Sequence, residues 1–299
     1  MRVLVTGCKG QVGYCLAEML SNAENVALLA VDREELDITN QEAVNEVVKA
    51  FKPTIIINAA AHTAVDKAEQ EIELSYAINC DGPKFLAEAA QKVGAAILHI
   101  STDYVFEGNK DGEYVENDAT NPQGVYGASK LAGEVAVAEA CDKHVILRTA
   151  WVFGEHGNNF VKTMLRLAAT RNELSIVGDQ FGGPTYAGDI AKALVEIAKK
   201  ISNDESVEYG VYHYSGLPHV SWYEFADKIF DSAVDQGILQ SKPTLSNITT
   251  DQYPTPAKRP NNSTLSSKKI THAFEIDTSN WKAAITNLKA YAEQSHESY

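Results

Sequence analysis

The sequence predicts an α/β fold: a doubly wound parallel sheet with a smaller lobe interleaved into its second half. Three observations carry this expectation. Short apolar runs (Arg2 to Thr6, Val26 to Val31, Thr54 to Asn58, Ala96 to Ser101, His144 to Thr149) alternate with longer helix-patterned segments. That alternation builds a right-handed parallel sheet. Gly7, Gly10 and Gly13 fall between the first strand and the helix after it, and an acid, Asp32, closes the second strand.

Composition narrows the partners. With 44% apolar and 22% charged residues, the 299-residue chain is an ordinary globular one. A net charge of −14 disfavours nucleic acid and anionic membranes, which reward basic surfaces. An anionic ligand therefore needs a local basic pocket. Cys8, Cys15, Cys80 and Cys141 show no C-x-x-C or metal spacing and suit a reducing cytoplasm. Met1-Arg2 runs straight into the first strand, and no apolar run approaches ~18 residues, so neither a signal peptide nor a membrane span is expected.

In chain order, Gly7, Gly10 and Gly13 form G-x-x-G-x-x-G at a strand-to-helix junction, with Gln11 and Val12 between the last two. Glycine permits the tight turn and lets backbone approach a pyrophosphate facing the helix N-terminus, as in Rossmann-type dinucleotide sites. A purely structural turn is the alternative. Asp32 lies 19 residues past Gly13, where a carboxylate reaches an adenosine ribose. Arg33 beside it suits a 2′-phosphate, so NADH and NADPH both remain open. Asp37 and Ile38 are placed to flank the adenine. Ala59, Ala60, Ala61, His62 and Thr63 follow the third strand, where small side chains let a cofactor lie across strand ends. Helix–sheet packing explains those alanines equally well. His62 reads as a polar loop residue beside the cofactor rather than as a base.

A helical stretch runs from Ile72 to Val93, and the fourth strand then delivers Thr102, Asp103 and Tyr104. A hydroxyl at Thr102 can hold a carbonyl and stabilise charge developing on its oxygen. After a loop from Glu107 to Pro122, a helix from Gln123 to Ala140 places Tyr126 and Lys130 four residues apart on one face. A tyrosine titrates near pH ~10 on its own, and a fixed ammonium beside it lowers that value. Such a phenol can move a proton to or from a sugar hydroxyl or ketone. With 13 tyrosines in the chain, about one Tyr-x-x-x-Lys arises by chance, so an exposed helix with an ordinary lysine is the alternative and context decides.

Past Gly154 helices are expected at Asn158 to Thr170, Ala187 to Lys200 and Ser221 to Val234, the last with Ser221 and Glu224 as a capping box. Gly210 to Ser215 reads as a strand, Thr250 to Asn262 as an extended segment, and Trp281, Ile285 and Leu288 as a closing helix core. Residues 1–154 with about 186–204 are expected to form the dinucleotide-binding domain. About 155–185 with 205–299 are expected to form the substrate lobe.

The glycine loop, Thr102, Tyr126 and Lys130 together resemble the short-chain dehydrogenase/reductase superfamily, in its extended branch acting on nucleotide sugars. Segments Asn58 to Asp66, Ser101 to Phe106, Arg148 to Gly154, Gly157 to Phe160 and Pro256 to Pro260 are similar, in order, to the dTDP-4-dehydrorhamnose reductase family. The resemblance implies reduction of the 4-keto group of dTDP-4-dehydro-6-deoxy-L-mannose to dTDP-L-rhamnose with NADPH or NADH. It implies Tyr126 as proton donor and Lys130 as its activator and nicotinamide-ribose ligand. It has Thr102 and Asp103 hold the sugar, with Val65, Trp151, Asn158 and Arg259 shaping the pocket. Arg259 suits a diphosphate on its own chemistry, being one of only six arginines in an acidic chain.

One departure concerns magnesium. Some members of that family are dimers bridged by magnesium through glutamates, one of them two residues past the third glycine. Here Tyr14 and Cys15 follow Gly13. Magnesium binding stays open, while a monomer or weak homodimer is expected. Two other readings compete. Nucleotide-sugar 4,6-dehydratases follow the threonine with Asp-Glu, but Tyr104 stands at the Glu position here. A non-enzymatic relative, the cofactor-holding beta subunit of methionine adenosyltransferase, or another nucleotide-sugar reductase, is the remaining alternative.

Overall fold

The computed structural model describes residues 1–203 and 206–293. Five strands, β1 (Arg2–Thr6), β2 (Ala27–Val31), β3 (Ile55–Asn58), β4 (Ala96–Thr102) and β5 (His144–Thr149), join Gly210–His213 in one six-stranded sheet. Every pairing in it is parallel. The order across the sheet is Gly210–His213, β5, β4, β3, β1, β2, so the strand order reverses between β1 and β3. Open α/β sheets bind ligands outside the carboxyl ends of strands at such a point.

Both faces of the sheet are covered, which explains why its strands read as unbroken apolar runs. Val3, Val5, Ile55, Ile57, Leu98 and Leu147 pack with α1 (Gln11–Ser21) and the Ala187–Ser202 helix. Leu4, Ile56, Ile97 and Ile146 point the other way. They pack with α2 (Gln41–Phe51), the Gly82–Val93 helix and the Val125–Ala140 helix, hereafter the tyrosine helix.

Two features depart from the sequence expectation. The Gly210–His213 strand pairs with β5 at the sheet edge, although its position in the chain predicts a place in the lobe. Tyr212 draws it there: its ring is fully buried in the core on the α1 side, and Ile270 and Phe274 join the same core. The stretch from Ile72 to Val93 is helical throughout but widens into a π turn at Ala77–Asp81. Pro83, in the first turn of the following helix, has no N–H to give and its ring crowds the preceding turn.

The lobe has its own core, in which Phe153, Met164, Phe225, Phe230, Trp281 and Leu288 meet. Ser221 and Glu224 form the expected capping box at the start of the Trp222–Asp235 helix. A small sheet joins Val220–Ser221, Phe181–Gly182 and Asn262–Ser263 beside the carboxyl end of β4. Among the described residues no helix is long and apolar enough to cross a membrane.

The tyrosine helix is seated on the π turn at Gly133, where a Cβ would lie 2.0 Å from the Asn79 carbonyl oxygen. Alanine gains ~1 kcal/mol of helix propensity over glycine. Forcing a methyl against fixed backbone costs ~1–3 kcal/mol. Gly133→Ala should therefore lower the urea midpoint despite its better propensity. A raised midpoint would mean that the helix is not wedged there.

Candidate active site

The glycine loop is built for close backbone approach. Gly7 has φ +72°, and a Cβ on it would lie 2.6 Å from the Ala60 nitrogen. At Gly13 a Cβ would lie 1.9 Å from the Gly7 carbonyl oxygen, so α1 starts directly on the loop. Gly10 caps α1 without any side-chain bond, leaving the first-turn N–H groups at Gln11, Val12 and Gly13 without a side-chain cap. A helix N-terminus of this kind favours a phosphate, and the cradle fits a dinucleotide pyrophosphate. The Gln11 side chain is committed elsewhere, accepting from Asn159 Nδ2 at 3.1 Å. That amide also donates to the Gly154 carbonyl at 2.7 Å, tying the lobe to the loop.

Asn159, not Asn158, is thus the structured residue of this pair. It caps the Phe160–Ala168 helix, so the helix begins two residues later than predicted. Asn158 is exposed on the preceding loop.

Asp32 closes β2 as expected, and its carboxylate accepts from the Lys9 backbone N–H at 2.9 Å, facing the glycine loop. Arg33 beside it is exposed. Asp37 and Ile38 are less available than the sequence suggests. Asp37 accepts from the Thr39 hydroxyl at 2.8 Å and the Thr39 N–H at 3.0 Å, which hold its carboxyl below the usual range. Ile38 is buried, and its Cδ1 lies 2.7 Å from where a Cβ on Gly82 would stand. Both side chains serve the fold, leaving their backbone for any contact with an adenine.

Beyond β3, Ala59 continues the ladder, its N–H donating to the Thr6 carbonyl at 3.1 Å. Ala60 packs against Gly7, while Thr63 is exposed. His62 is a loop brace: Nδ1 meets Ser75 Oγ at 3.0 Å and Nε2 meets Glu71 at 3.0 Å. Asn79, fully buried in the π turn, holds both backbone groups of His62, at 2.8 and 3.1 Å. Its amide also donates to Ser129 Oγ at 3.0 Å, and Ser129 donates to the Tyr126 carbonyl at 2.9 Å. Sequence reasoning missed Asn79. The available signal was Pro83 four residues on, inside a helical pattern.

The tyrosine helix brings Tyr126 and Lys130 to the carboxyl end of β4. Lys130 is buried and donates from Nζ to the Ile100 carbonyl at 2.7 Å. Burial pulls its pKa down to about 8, against the raising influence of Glu134. Glu134 is itself clamped by Arg148, at 2.9 and 2.7 Å, and by Ser101 Oγ at 2.5 Å. Burial pushes the Tyr126 phenol above its ordinary range, while the Thr102 hydroxyl draws it partly back. The expected lowering by Lys130 is absent. Desolvation raises the phenol, nearby Asp103 and Tyr104 add to that rise, and the ammonium is bonded to a strand carbonyl. Tyr126 is consequently a protonated phenol at neutral pH.

Thr102 Oγ1 donates to Asp103 Oδ1 at 3.0 Å and accepts from the Tyr104 N–H at 3.2 Å. Asp103 is 4% exposed, and burial raises its pKa to about 6. The Tyr104 ring meets the Tyr126 ring edge-on, centroids 5.3 Å apart.

The lobe supplies the opposite wall. Trp151 sits at φ +50°, a left-handed conformation that bulky residues rarely adopt. Two contacts hold it there: stacking on Trp222 at 3.5 Å, and packing on Gly182, where a Cβ would lie 2.4 Å from the indole. Trp222 was not singled out by sequence, since it opens an ordinary-looking helix. Arg259 pairs with Asp66 at 2.6 Å and reaches the Tyr104 hydroxyl at 3.5 Å. Asp66 also accepts from the Ala257 N–H at 3.1 Å, pinning this segment beside half-buried Val65. Cys15 faces the core and Tyr14 stacks on His156 at 3.6 Å. Among the described residues no group of three or more His, Cys, Asp or Glu side chains is placed to hold a metal.

Known proteins share this fold. The RmlD substrate binding domain family matches residues 1–293. A dTDP-4-dehydrorhamnose reductase of Aggregatibacter actinomycetemcomitans is 53% identical over 98% of this chain and 99% of its own. A crystal structure of a dTDP-4-dehydrorhamnose reductase from Clostridium acetobutylicum has a TM-score of 0.89 at 41% identity, covering 99% of each chain. One from Bacillus anthracis, in complex with NADP, has a TM-score of 0.87 at 40% identity, covering 98% of this chain and 99% of its own. With matches of this identity running the length of the chain, it belongs to the dTDP-4-dehydrorhamnose reductase family.

Proposed function

We infer that this protein reduces the 4-keto group of dTDP-4-dehydro-6-deoxy-L-mannose to give dTDP-L-rhamnose, the last step of dTDP-rhamnose biosynthesis. The observation that carries the reading is the helix that brings Tyr126 and buried Lys130 to the carboxyl end of β4, beside Thr102, in a chain of this family. When bound, NADPH or NADH supplies the hydride. Tyr126 reaches the carbonyl oxygen and passes its proton to it as it gains charge, while Thr102, whose own proton goes to Asp103, holds the phenol in place. Lys130 offers its ammonium to the ribose hydroxyls and to the phenolate left behind.

Trp151, backed by Trp222, covers the apolar 6-deoxy edge of the sugar. Arg259, held by Asp66, faces the diphosphate, with Val65 beside it. Gln11 to Gly13, Asp32 and Ala59 to His62 line the cofactor side. We assign cofactor binding to residues 1–154 with 186–204, joined by the Gly210–His213 strand. The nucleotide sugar falls to the rest of the chain. The dehydratase alternative requires a second carboxylate where Tyr104 stands, and burial raises the Tyr104 phenol to about 12.

The deciding assay follows loss of NADPH or NADH absorbance with the dTDP-linked keto sugar. Tyr126→Phe should lower kcat by ~10²–10⁴-fold with cofactor affinity and melting temperature intact. Unchanged turnover would remove Tyr126 from the mechanism. Arg33→Ala should weaken NADPH selectively, because exposed Arg33 adjoins the carboxylate that faces the ribose. Equal weakening of NADH would show that Arg33 does not read the 2′-position.

The depressed Lys130 pKa sets a further expectation for the free enzyme. Its ammonium is complete well below pH 8 and is lost as the pH rises through about 8. The NADPH dissociation constant should rise over that window, and Lys130→Met should flatten the rise. A wild-type constant indifferent to pH between 7 and 9.5 would refute a charged-lysine contact.

A further inference from the structure

We propose that Ser263 is a positioning residue for this reaction: with Asp103, it brackets the one sugar hydroxyl adjacent to the reacting carbonyl. The proposal rests on the ketone-reductase reading above. Ser263 is 2% exposed and Asp103 4%, and neither Ser263 Oγ nor Asp103 Oδ2 completes a hydrogen bond within the protein. The two side chains face each other closely enough for the Ser263 hydroxyl to draw the Asp103 carboxyl back toward its ordinary range, but not in the geometry of a fully formed hydrogen bond. Native proteins pair nearly all buried polar atoms, so two atoms this poorly matched call for a further partner.

That pair has little freedom to close on itself. Ser263 is fixed in its strand by pairing with Gly182. Both neighbours are also tied to the loop after β4. Asn262 Nδ2 donates to the Lys110 and Gly112 carbonyls at 2.7 Å each, and the Asn262 N–H donates to the Gly108 carbonyl at 2.9 Å. Thr264 Oγ1 donates to the Gly112 carbonyl at 3.2 Å. On the other side, Asp103 Oδ1 is already held by Thr102.

A hydroxyl is the group that satisfies both atoms at once. It donates its proton to Asp103 Oδ2 and accepts one from Ser263 Oγ. The site lies one residue from Thr102, whose hydroxyl interacts with Tyr126, and the Asp103 charge is felt at the Tyr126 phenol. In a 4-keto-6-deoxyhexose, C5 carries only the methyl branch and the ring oxygen. The hydroxyl vicinal to the ketone is therefore the one on C3. Ser263 and Asp103 read that hydroxyl and thereby place C4 against Tyr126.

The test compares Ser263→Ala with wild type on the dTDP-linked keto sugar and on its 3-deoxy analogue. With the natural substrate kcat/KM should fall about ten- to a hundredfold, leaving NADPH affinity and melting temperature unchanged. The 3-deoxy analogue, already poor with wild type, should be indifferent to the substitution. Ser263→Ala with Asp103→Asn should lose less than the product of the single losses.

The pH profile adds a readout that a packing role would not move. Asp103 must be ionised to accept, so kcat/KM falls as the pH drops through about 6. Removing the Ser263 hydroxyl raises that carboxyl further, moving the acid limb to higher pH. Tyr104 and Tyr126, the other titratable groups beside it, stay neutral there. Equal losses on both substrates, no loss on either, or an unmoved acid limb would overturn the proposal. Absence of wild-type turnover would instead sink the reductase reading. Calorimetric binding of dTDP-L-rhamnose to the NADP-loaded Ser263→Ala protein covers a variant too slow to assay, and unchanged affinity there would also count against Ser263.

Discussion

The burial of one ammonium, that of Lys130, is the constraint on which the rest of this site depends. A charge taken from water is costly unless it is paired and hydrogen-bonded. Here β4 supplies the Ile100 carbonyl, and the next turn of the same helix supplies the Glu134 carboxylate. Glu134 would be a second uncompensated charge without the two-bond clamp from Arg148 on β5 and the Ser101 hydroxyl on β4. Two strand ends and one helix are thereby locked in register around Lys130. Tyr126, one turn earlier, inherits that precision.

Close backbone packing completes the placement. Gly127 sits where a Cβ would lie 2.1 Å from the Tyr104 carbonyl oxygen, and Gly133 makes the matching approach to Asn79. Two glycines weaken a helix by ~1 kcal/mol each relative to alanine. The helix keeps them because one lets it descend onto the turn carrying Thr102 to Tyr104 and the other onto the π turn. Local propensity yields where the site needs proximity, as expected at functional positions.

What could be read beforehand follows the range of the physics involved. Strands β1 to β5, the glycine loop and the capping box at Ser221 are encoded within a few residues and were legible. The edge strand at Gly210–His213 was not, because parallel pairing joins residues far apart and the signal, a Tyr212 ring seeking the sheet core, looks local to the lobe. Arg259 was expected as a cation for the diphosphate, but its Asp66 partner, 193 residues away, could not be read from the sequence. Asn79 was hidden for the opposite reason, since its role comes from a widened helical turn that periodicity averages out. The Tyr126 pKa shows the limit most sharply. A sequence displays the neighbouring lysine but not the burial, and burial is what chiefly raises the phenol.

That same burial moves the two groups in opposite directions, Tyr126 upward and Lys130 down to about 8. Each shift favours the neutral form, so the enclosed pair resists holding separated charge before the reaction begins. In the proposed reduction the ketone oxygen would become an alkoxide, a stronger base than a phenolate, so even a phenol with a raised pKa would surrender its proton. The phenolate left on Tyr126 then lies one helical turn from Lys130, and its charge restores the affinity of that amine for its proton. Each ionisation would thus strengthen the other in a low-dielectric setting. Its charged state is stabilised at the moment the alkoxide is quenched, which is where stabilisation accelerates the reaction.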